Sequence, residues 1–259
     1  METVKIVKIG GKIIENTKAL NSFLYDFSKL KAPKVLVHGG GNLLSELATE
    51  LNISVQMING RRITDAKTLN LVSMVYAGKI NKSIVAQLQA YNTNALGFTG
   101  ADGNTIISVK RPSKPIDYGF AGDVIKVNPQ ILTILIKNKV VPVFCALTHD
   151  KKGQLLNTNA DTIAAELAIA LTSCYTTELY YCFDKPGVLA NISDNNSTIE
   201  CITEKSYTWL KAQNNIVKGM LPKLDNCFYA LNNKVFRVYV GNADMLSNSS
   251  VKYSSIRLK

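Results

Sequence analysis

Two β-rich runs each close on a glycine turn, and a helix-period segment separates them. Residues 4–9 (VKIVKI) end in Gly10-Gly11, and residues 34–37 end in His38-Gly39-Gly40-Gly41. Between them, residues 16–30 place Leu20, Phe23, Leu24, Phe27 and Leu30 at helical spacing. A strand, a helix and a strand in that order predict a parallel pair, because parallel neighbours need a long crossover. The alternation continues. Residues 42–51 read as a helix with Asn42 as its cap, 55–63 as extended pieces around an Asn59-Gly60 turn, and 65–91 as a long helix. Residues 95–127 hold short β pieces between glycine turns. Residues 129–137 are helical, 140–146 a buried strand, 161–171 an Ala-rich helix and 178–183 another strand. Helices over 203–213 and 219–232 precede a last strand, 235–240. The expected fold is α/β: an open, mainly parallel central sheet sandwiched between helices, in two lobes. The strand-helix pattern restarts near 172–178, which divides the chain into residues 1–172 and 173–259.

Ligands of such sheets bind beyond the carboxyl ends of the strands. Glycines there let N–H groups converge on an anion, and a helix N-terminus adds a favourable dipole. A lone Gly-Gly is more simply a tight turn; two turns on successive strands point to an anion site. The chain has no GxxxxGK[ST] and no GxGxxG after a strand, which argues against a Walker nucleotidase and a dinucleotide site. His38-Gly39-Gly40-Gly41 resembles an esterase oxyanion loop, but no GxSxG supplies a nucleophile. With two histidines, His38 and His149, His-rich metal sites are not expected, and His38 reads as a structural residue.

Charge raises a different question, since 30 basic against 19 acidic residues leave a net +11. Nucleic acid, an anionic membrane surface and small anionic substrates are the partner classes that such a balance admits. Residues 1–130 hold 16 basic and 9 acidic residues, so the excess is spread over the chain. The pairs Arg61-Arg62, Lys110-Arg111 and Lys151-Lys152 are too short for a basic arm, so a solvated basic surface explains most of the excess, with a few basic residues left for chemistry on small anions. The longest apolar run, 140–147, is too short for a span and contains a proline. The start, METVKIVKIGG, carries no secretory signal. Five cysteines without a CxxC pair read as a reduced, cytoplasmic protein, so the Asn-x-Ser/Thr triplets carry no glycosylation meaning. Neither nucleic acid nor membrane is expected as a partner.

Four polar clusters add chemistry. Lys8 sits on the first strand, two residues before the glycines, where an ammonium is costly without a task. An edge or outward-facing position is the alternative. In Asn157-Thr158-Asn159-Ala160-Asp161 one residue caps a helix, and the cluster holds more polar groups than a cap needs. Lys223 falls in the first turn of a helix, against its dipole, unless an anion faces it. Arg61 and Arg62 are adjacent on an extended segment, pointing to opposite faces; guanidinium groups suit carboxylates, and a surface basic pair is the alternative.

Taken together, the segments resemble the amino-acid-kinase family over about residues 4–240. The matched stretches are VKIGGKI (7–13), VLVHGGG (35–41), NGRRIT (59–64), AGKINKSIVAQL (77–88), GFTGADG (97–103), GFAGDV (119–124), NTNADTIAAELA (157–168) and GMLPK (219–223). Kinases acting on UMP, carbamate, aspartate and glutamate share the glycine turns; NGRRIT with NTNAD resembles the branch of arginine biosynthesis that phosphorylates N-acylated glutamate. The resemblance implies an N-terminal lobe for the acceptor and dimerisation, a C-terminal lobe for ATP, and a homodimer. It implies that Lys8 and Lys223 neutralise the transferring phosphoryl group and that Asp161 positions them. Gly10, Gly11, Gly40 and Gly41 match backbone groups around phosphate and substrate. Arg62 and Asn157 match groups that hold the α-carboxylate, and Asp184 and Gly187 fall in a nucleotide segment. Mg²⁺ is expected with ATP, held by phosphates and water. The rivals are another acceptor (carbamate, UMP or aspartate) and a catalytically silent nucleotide sensor, which intact Lys8, Asp161 and Lys223 argue against.

Two departures concern the acyl group. The residue before the carboxylate-binding arginine is usually apolar in this branch and here is Arg61. The segment after Pro142 reads VFCALT, where a Gly/Ser/Pro-rich version is usual. An N-succinyl acceptor carries one more carboxylate than an N-acetyl one, and Arg61 would pair with it. If Arg61 faces solvent instead, the acceptor is N-acetylglutamate. Arginine-inhibited members carry an extra N-terminal helix; this chain enters its first strand by residue 4, so a dimer insensitive to arginine is expected.

Overall fold

The computed structural model describes residues 1–58, 61–212, 220–248 and 250–259. The expected Asn59-Gly60 turn, the end of the helix expected to reach 213, and Gly219 lie outside the described residues. β1 (Thr3–Ile9) runs into a short α1 (Gly11–Glu15) and then α2 (Thr17–Lys29), which Asn16 caps by accepting from the Ala19 N–H. β2 (Lys34–His38), buried at all five positions, leads into α3 (Gly41–Glu50). The cap of α3 is Gly40 rather than Asn42, and no side chain serves it.

β3 (Met57–Ile58) pairs antiparallel with β4 (Arg61–Arg62). The helix expected over 65–91 is three joined pieces: α4 (Ala66–Val72), a π-helical stretch (Ser73–Ile80) and α5 (Asn81–Ala90). There follow β5 (Ala95–Phe98), β6 (Ile106–Lys110), β7 (Gly122–Val127), α6 (Pro129–Lys137) and β8 (Val141–Phe144). β9 (Leu147–His149) and β10 (Leu155–Asn157) precede α7 (Ala160–Leu171) and β11 (Thr176–Cys182). The chain continues through β12 (Cys201–Thr203), α8 (Glu204–Ala212), α9 (Leu221–Asn232), β13 (Arg237–Gly241) and β14 (Ser254–Arg257).

One sheet of eight strands, in the order β12-β14-β13-β11-β1-β2-β8-β5, runs through the molecule. Its pairs are parallel except β13 with β14. α7 packs against both α6 and α9, and α2 packs against α5. β1 lies in the interior, between β11 and β2. Val4, Ile6, Val7 and Ile9 are all fully buried, which explains why this run does not alternate. Its two lysines are both accounted for: Lys5 lies 5.2 Å from the centre of the Tyr180 ring, and Lys8 reaches Asp161. The edge position open to Lys8 on sequence is therefore not the one it occupies.

The parallel register brings the ends of β1, β2 and β11 to one rim. The Gly10 N–H donates to the Cys182 carbonyl at 2.9 Å and joins β1 to β11 there. A second sheet, β10-β9-β6-β7, stands beside this rim. Bridges from Thr64 to Gly119 and from Ala121 to Asn157 tie the β4 segment and β10 to the stretch that leads into β7.

Candidate active site

Three charged side chains from three distant elements meet at the rim. Lys8 Nζ from β1 lies 2.7 Å from Oδ1 of Asp161, and Lys223 Nζ from α9 lies 2.7 Å from its Oδ2. Each of the three side chains is less than a fifth exposed. The local structure explains why Asp161 is free for this. Asn159 caps α7 by accepting from the Asp161 and Thr162 N–H groups at 2.8 and 3.2 Å, which leaves the Asp161 carboxylate without a capping duty. Lys223 sits in the first turn of α9, where the dipole disfavours it; Asp161 and the Tyr181 ring, 4.9 Å from Nζ, offset that.

Burial pushes the Asp161 carboxyl up, but the Lys223 and Lys8 ammonium groups overcome it and hold it well below the usual carboxylate range. Burial lowers the Lys8 ammonium below the ordinary lysine value, and Asp161 opposes that shift. Two cations on one buried carboxylate leave an excess positive charge, the condition for receiving an anion.

Beside this cluster lies a cavity of about 210 Å³ lined by the glycine turn, by Arg61, Arg62, Tyr76 and Arg111, and by Asn157 to Ala160. Arg62 is buried; its Nη2 donates to the Gly41 carbonyl at 2.8 Å and to Ser45 Oγ at 3.0 Å. Its Nη1 is buried with no hydrogen-bond partner among the described residues. Such an orphan is costly unless a ligand completes it. Asn157 also lines the cavity, its Nδ2 donating to Thr64 Oγ1 at 3.0 Å. Arg61 and Arg62 were expected on opposite faces; both border the cavity, since β4 spans two residues and imposes little alternation.

Gly40 has φ 151°, a region that only glycine enters readily, and a Cβ there would fall 2.2 Å from Ile80 Cδ1. Gly40→Ala should therefore destabilise the protein by about 2–4 kcal/mol, from backbone strain plus overpacking. Urea unfolding would measure it, and a loss below about 1 kcal/mol would contradict the described turn.

The remaining expected residues divide. Gly11 opens α1. Gly10 has its N–H committed to Cys182, so it contributes a tight approach between strands rather than a free donor. Asp184 accepts from Lys12 Nζ at 2.6 Å, a pair that bridges the turns after β1 and β11. Gly187 is packed against Thr198 and Ser254, where a Cβ would lie 2.6 and 2.7 Å from their side chains.

Sequence reasoning missed Lys12, Tyr76 and Arg111. Arg111 is paired with Asp123 through Nε at 3.1 Å to both carboxylate oxygens. Lys12 and Asp123 stand inside two of the matched stretches, KIGGK and GFAGDV, and that was the available signal. Tyr76 had none, because only the π-helical turn aims it at Gly40.

Comparison with known proteins agrees with this geometry. Residues 3–242 match the model of the amino acid kinase family. The acetylglutamate kinase of Cytophaga hutchinsonii is 52% identical over 247 residues, covering 95% of this chain and 94% of that protein. That of Bacteroides thetaiotaomicron is 50% identical over 248 residues, covering 96% of each. Among solved structures, a Streptococcus mutans UA159 protein superposes with a TM-score of 0.83 at 24% identity, over 99% of both chains. Giardia carbamate kinase gives 0.70 at 12% identity, over 100% of this chain and 99% of that one. These two likenesses speak for the fold.

Proposed function

The chain belongs to the amino acid kinase family, and from that premise we infer that it is an acylglutamate kinase. It transfers the γ-phosphoryl group of ATP to the side-chain carboxylate of an N-acyl-L-glutamate; relatives at about half identity are named acetylglutamate kinase. The observation that carries this reading is the Lys8–Asp161–Lys223 cluster beside a cavity that holds an unpartnered guanidinium nitrogen.

The chemistry is consistent with those residues. A glutamate side chain, with a pKa of about 4.3, is already ionised at neutral pH, so the acceptor needs no general base. Transfer between two anions is limited by repulsion and by negative charge on the transferred group. Lys8 and Lys223 offset both, and Asp161 keeps the two ammonium groups at one spot without cancelling them. Gly40 and Gly41 offer N–H groups at the start of α3, Gly11 at the start of α1. Arg62 and Asn157 hold the α-carboxylate.

Mg²⁺ fits this donor set only as a passenger of the nucleotide. Among the described residues no three His, Cys, Asp or Glu side chains converge to hold a metal, and Asp161 is already committed to two lysines. When bound it would neutralise phosphate charge, held by phosphate oxygens and water. Residues 1–172 then serve the acceptor and residues 173–259 the nucleotide, with the Lys12–Asp184 pair at the edge of the phosphate region. No helix among the described residues is long and apolar enough to cross a membrane. The family resemblance is what supports a cytoplasmic homodimer.

Arg61 favours a more specific reading of the acyl group. It borders the cavity, is half-buried, and has no ion-pair partner among the described residues, whereas Arg111 is spent on Asp123. An N-succinyl acceptor would supply that missing carboxylate. ADP release should be measured with N-acetyl- and N-succinyl-L-glutamate, and with carbamate, UMP and aspartate as rivals. The expected result is activity on acylglutamates alone, with the succinyl substrate preferred. Arg61→Leu should cut its kcat/KM about 10- to 100-fold, the worth of one charge-assisted contact. An unaltered preference in that variant removes the role of Arg61, and turnover of a rival acceptor removes the acylglutamate reading.

A further inference from the structure

His38 is completely buried at the end of β2 and takes no part in balancing charge during transfer. Its hydrogen bonds nevertheless define it closely. Nδ1 lies 2.9 Å from the Gly39 carbonyl oxygen, and Nε2 lies 3.1 Å from Nδ2 of Asn81. That same Nδ2 donates to the Val143 carbonyl at 2.9 Å, which fixes the end of the amide that faces the ring as nitrogen. An amide nitrogen only donates, so Nε2 accepts; Nδ1 therefore carries the proton and donates to Gly39. Burial pushes the imidazole down to about 4, and the Gly39 bond only partly opposes this, so the ring is neutral. Asn81 is itself buried, where the π-helical stretch passes into α5. Its Oδ1 occupies space that Gly97 leaves open, since a Cβ at Gly97 would fall 1.9 Å from it.

The consequence falls on the next peptide. In a trans peptide the carbonyl and the N–H point in opposite directions. Pinning the Gly39 carbonyl to the ring therefore turns the Gly40 N–H away from the ring. Gly39, Gly40 and Gly41 all border the cavity. A peptide between two glycines has little intrinsic resistance to turning over, because neither residue restricts its backbone. Something outside the loop has to hold it.

We propose that His38, held by Asn81, is a positioning residue that locks the Gly39–Gly40 peptide so that the Gly40 N–H faces the anion in the cavity. This rests on the phosphotransferase reading, in which Gly40 is a donor to the reacting groups.

Three variants and one spectrum test it. His38→Leu removes the donor; His38→Asn keeps a nitrogen donor at the Nδ1 position; Asn81→Ala releases the ring. For His38→Leu and Asn81→Ala, kcat is expected to fall 10-fold or more, with the KM for ATP within about twofold and weaker inhibition by ADP with aluminium fluoride. His38→Asn should recover most of kcat. Equal losses in His38→Asn and His38→Leu that track their Tm values, or a kcat within twofold in His38→Leu, would overturn the proposal. Imidazole ¹⁵N shifts of the wild-type protein give a readout that does not depend on variants folding. They should report a neutral ring with the proton on Nδ1, and an Nε2–H tautomer overturns the lock. Wild-type turnover of acylglutamate tests the functional reading separately, so the two failures are distinguishable.

Discussion

Lys8→Ala and Lys223→Ala should each lower kcat by about 10²- to 10³-fold, the usual cost of removing one pre-placed charge from a developing anion. KM for either substrate should change by only a few fold. The asymmetry follows from where the ammonium groups sit. Both are less than an eighth exposed, and both are held at 2.7 Å by one carboxylate, so they are in place before substrates arrive. A group that needs no reorganisation acts mainly on the transition state, where charge accumulates between donor and acceptor. In the proposed function the acceptor's α-carboxylate has its partners elsewhere, at Arg62 and Asn157, which line the cavity. Steady-state kinetics of both variants would check this. Near-normal turnover in both would remove the two lysines from the mechanism.

Asp161→Asn should lower stability by about 3–5 kcal/mol, because two largely buried ammonium groups lose their common partner. For a chain of this size that is a fall in Tm of roughly 10 °C. Nucleotide should restore more stability to the variant than to the wild type, since phosphate oxygens replace the missing carboxylate. The pH dependence gives a second signature. The folded carboxyl lies well below its ordinary value of 3.8. The stability it contributes is therefore complete above that value and is lost as pH falls toward the depressed folded pKa. The variant lacks this acid-side loss, so its stability curve should be flatter below about pH 4. Calorimetry with and without nucleotide would settle both points, and an unchanged Tm would show that the cluster does not bear on folding.

The legible part of this architecture was its periodicity. Strand, glycine turn and helix follow one another closely enough that the parallel sheet and the ends of β1 and β2 could be read directly. Lys8, Asp161 and Lys223 were readable because each broke a local rule: a lysine in an interior strand, surplus polarity at a helix cap, and a lysine against a dipole. What stayed hidden depends on long-range register. β14, with Ser254 and Ile256 buried among polar neighbours, has no pattern that distinguishes it from a loop. The β9–β10 pair is three residues per strand, too short for alternation to show. Arg111 looked like half of a surface basic pair, because nothing local reveals that Asp123 waits 12 residues on across an antiparallel pair. Arg61 and Arg62 misled for a related reason, since alternation is a property of longer strands.

The place of β1 in the sheet has a consequence for biosynthesis. It precedes the strands on either side of it in the sheet, β2 on one side and β11 on the other, and they are far apart in the chain. β11 runs to Cys182, so that side of β1 stays open while most of the chain is being made. Lys223 comes later still. During synthesis the nascent protein therefore exposes a bare, apolar sheet edge, a surface prone to wrong pairing. The growing chain needs shielding there for longer than a fold with sequential neighbours would, and the Lys8–Asp161–Lys223 cluster closes only after α9 has been made.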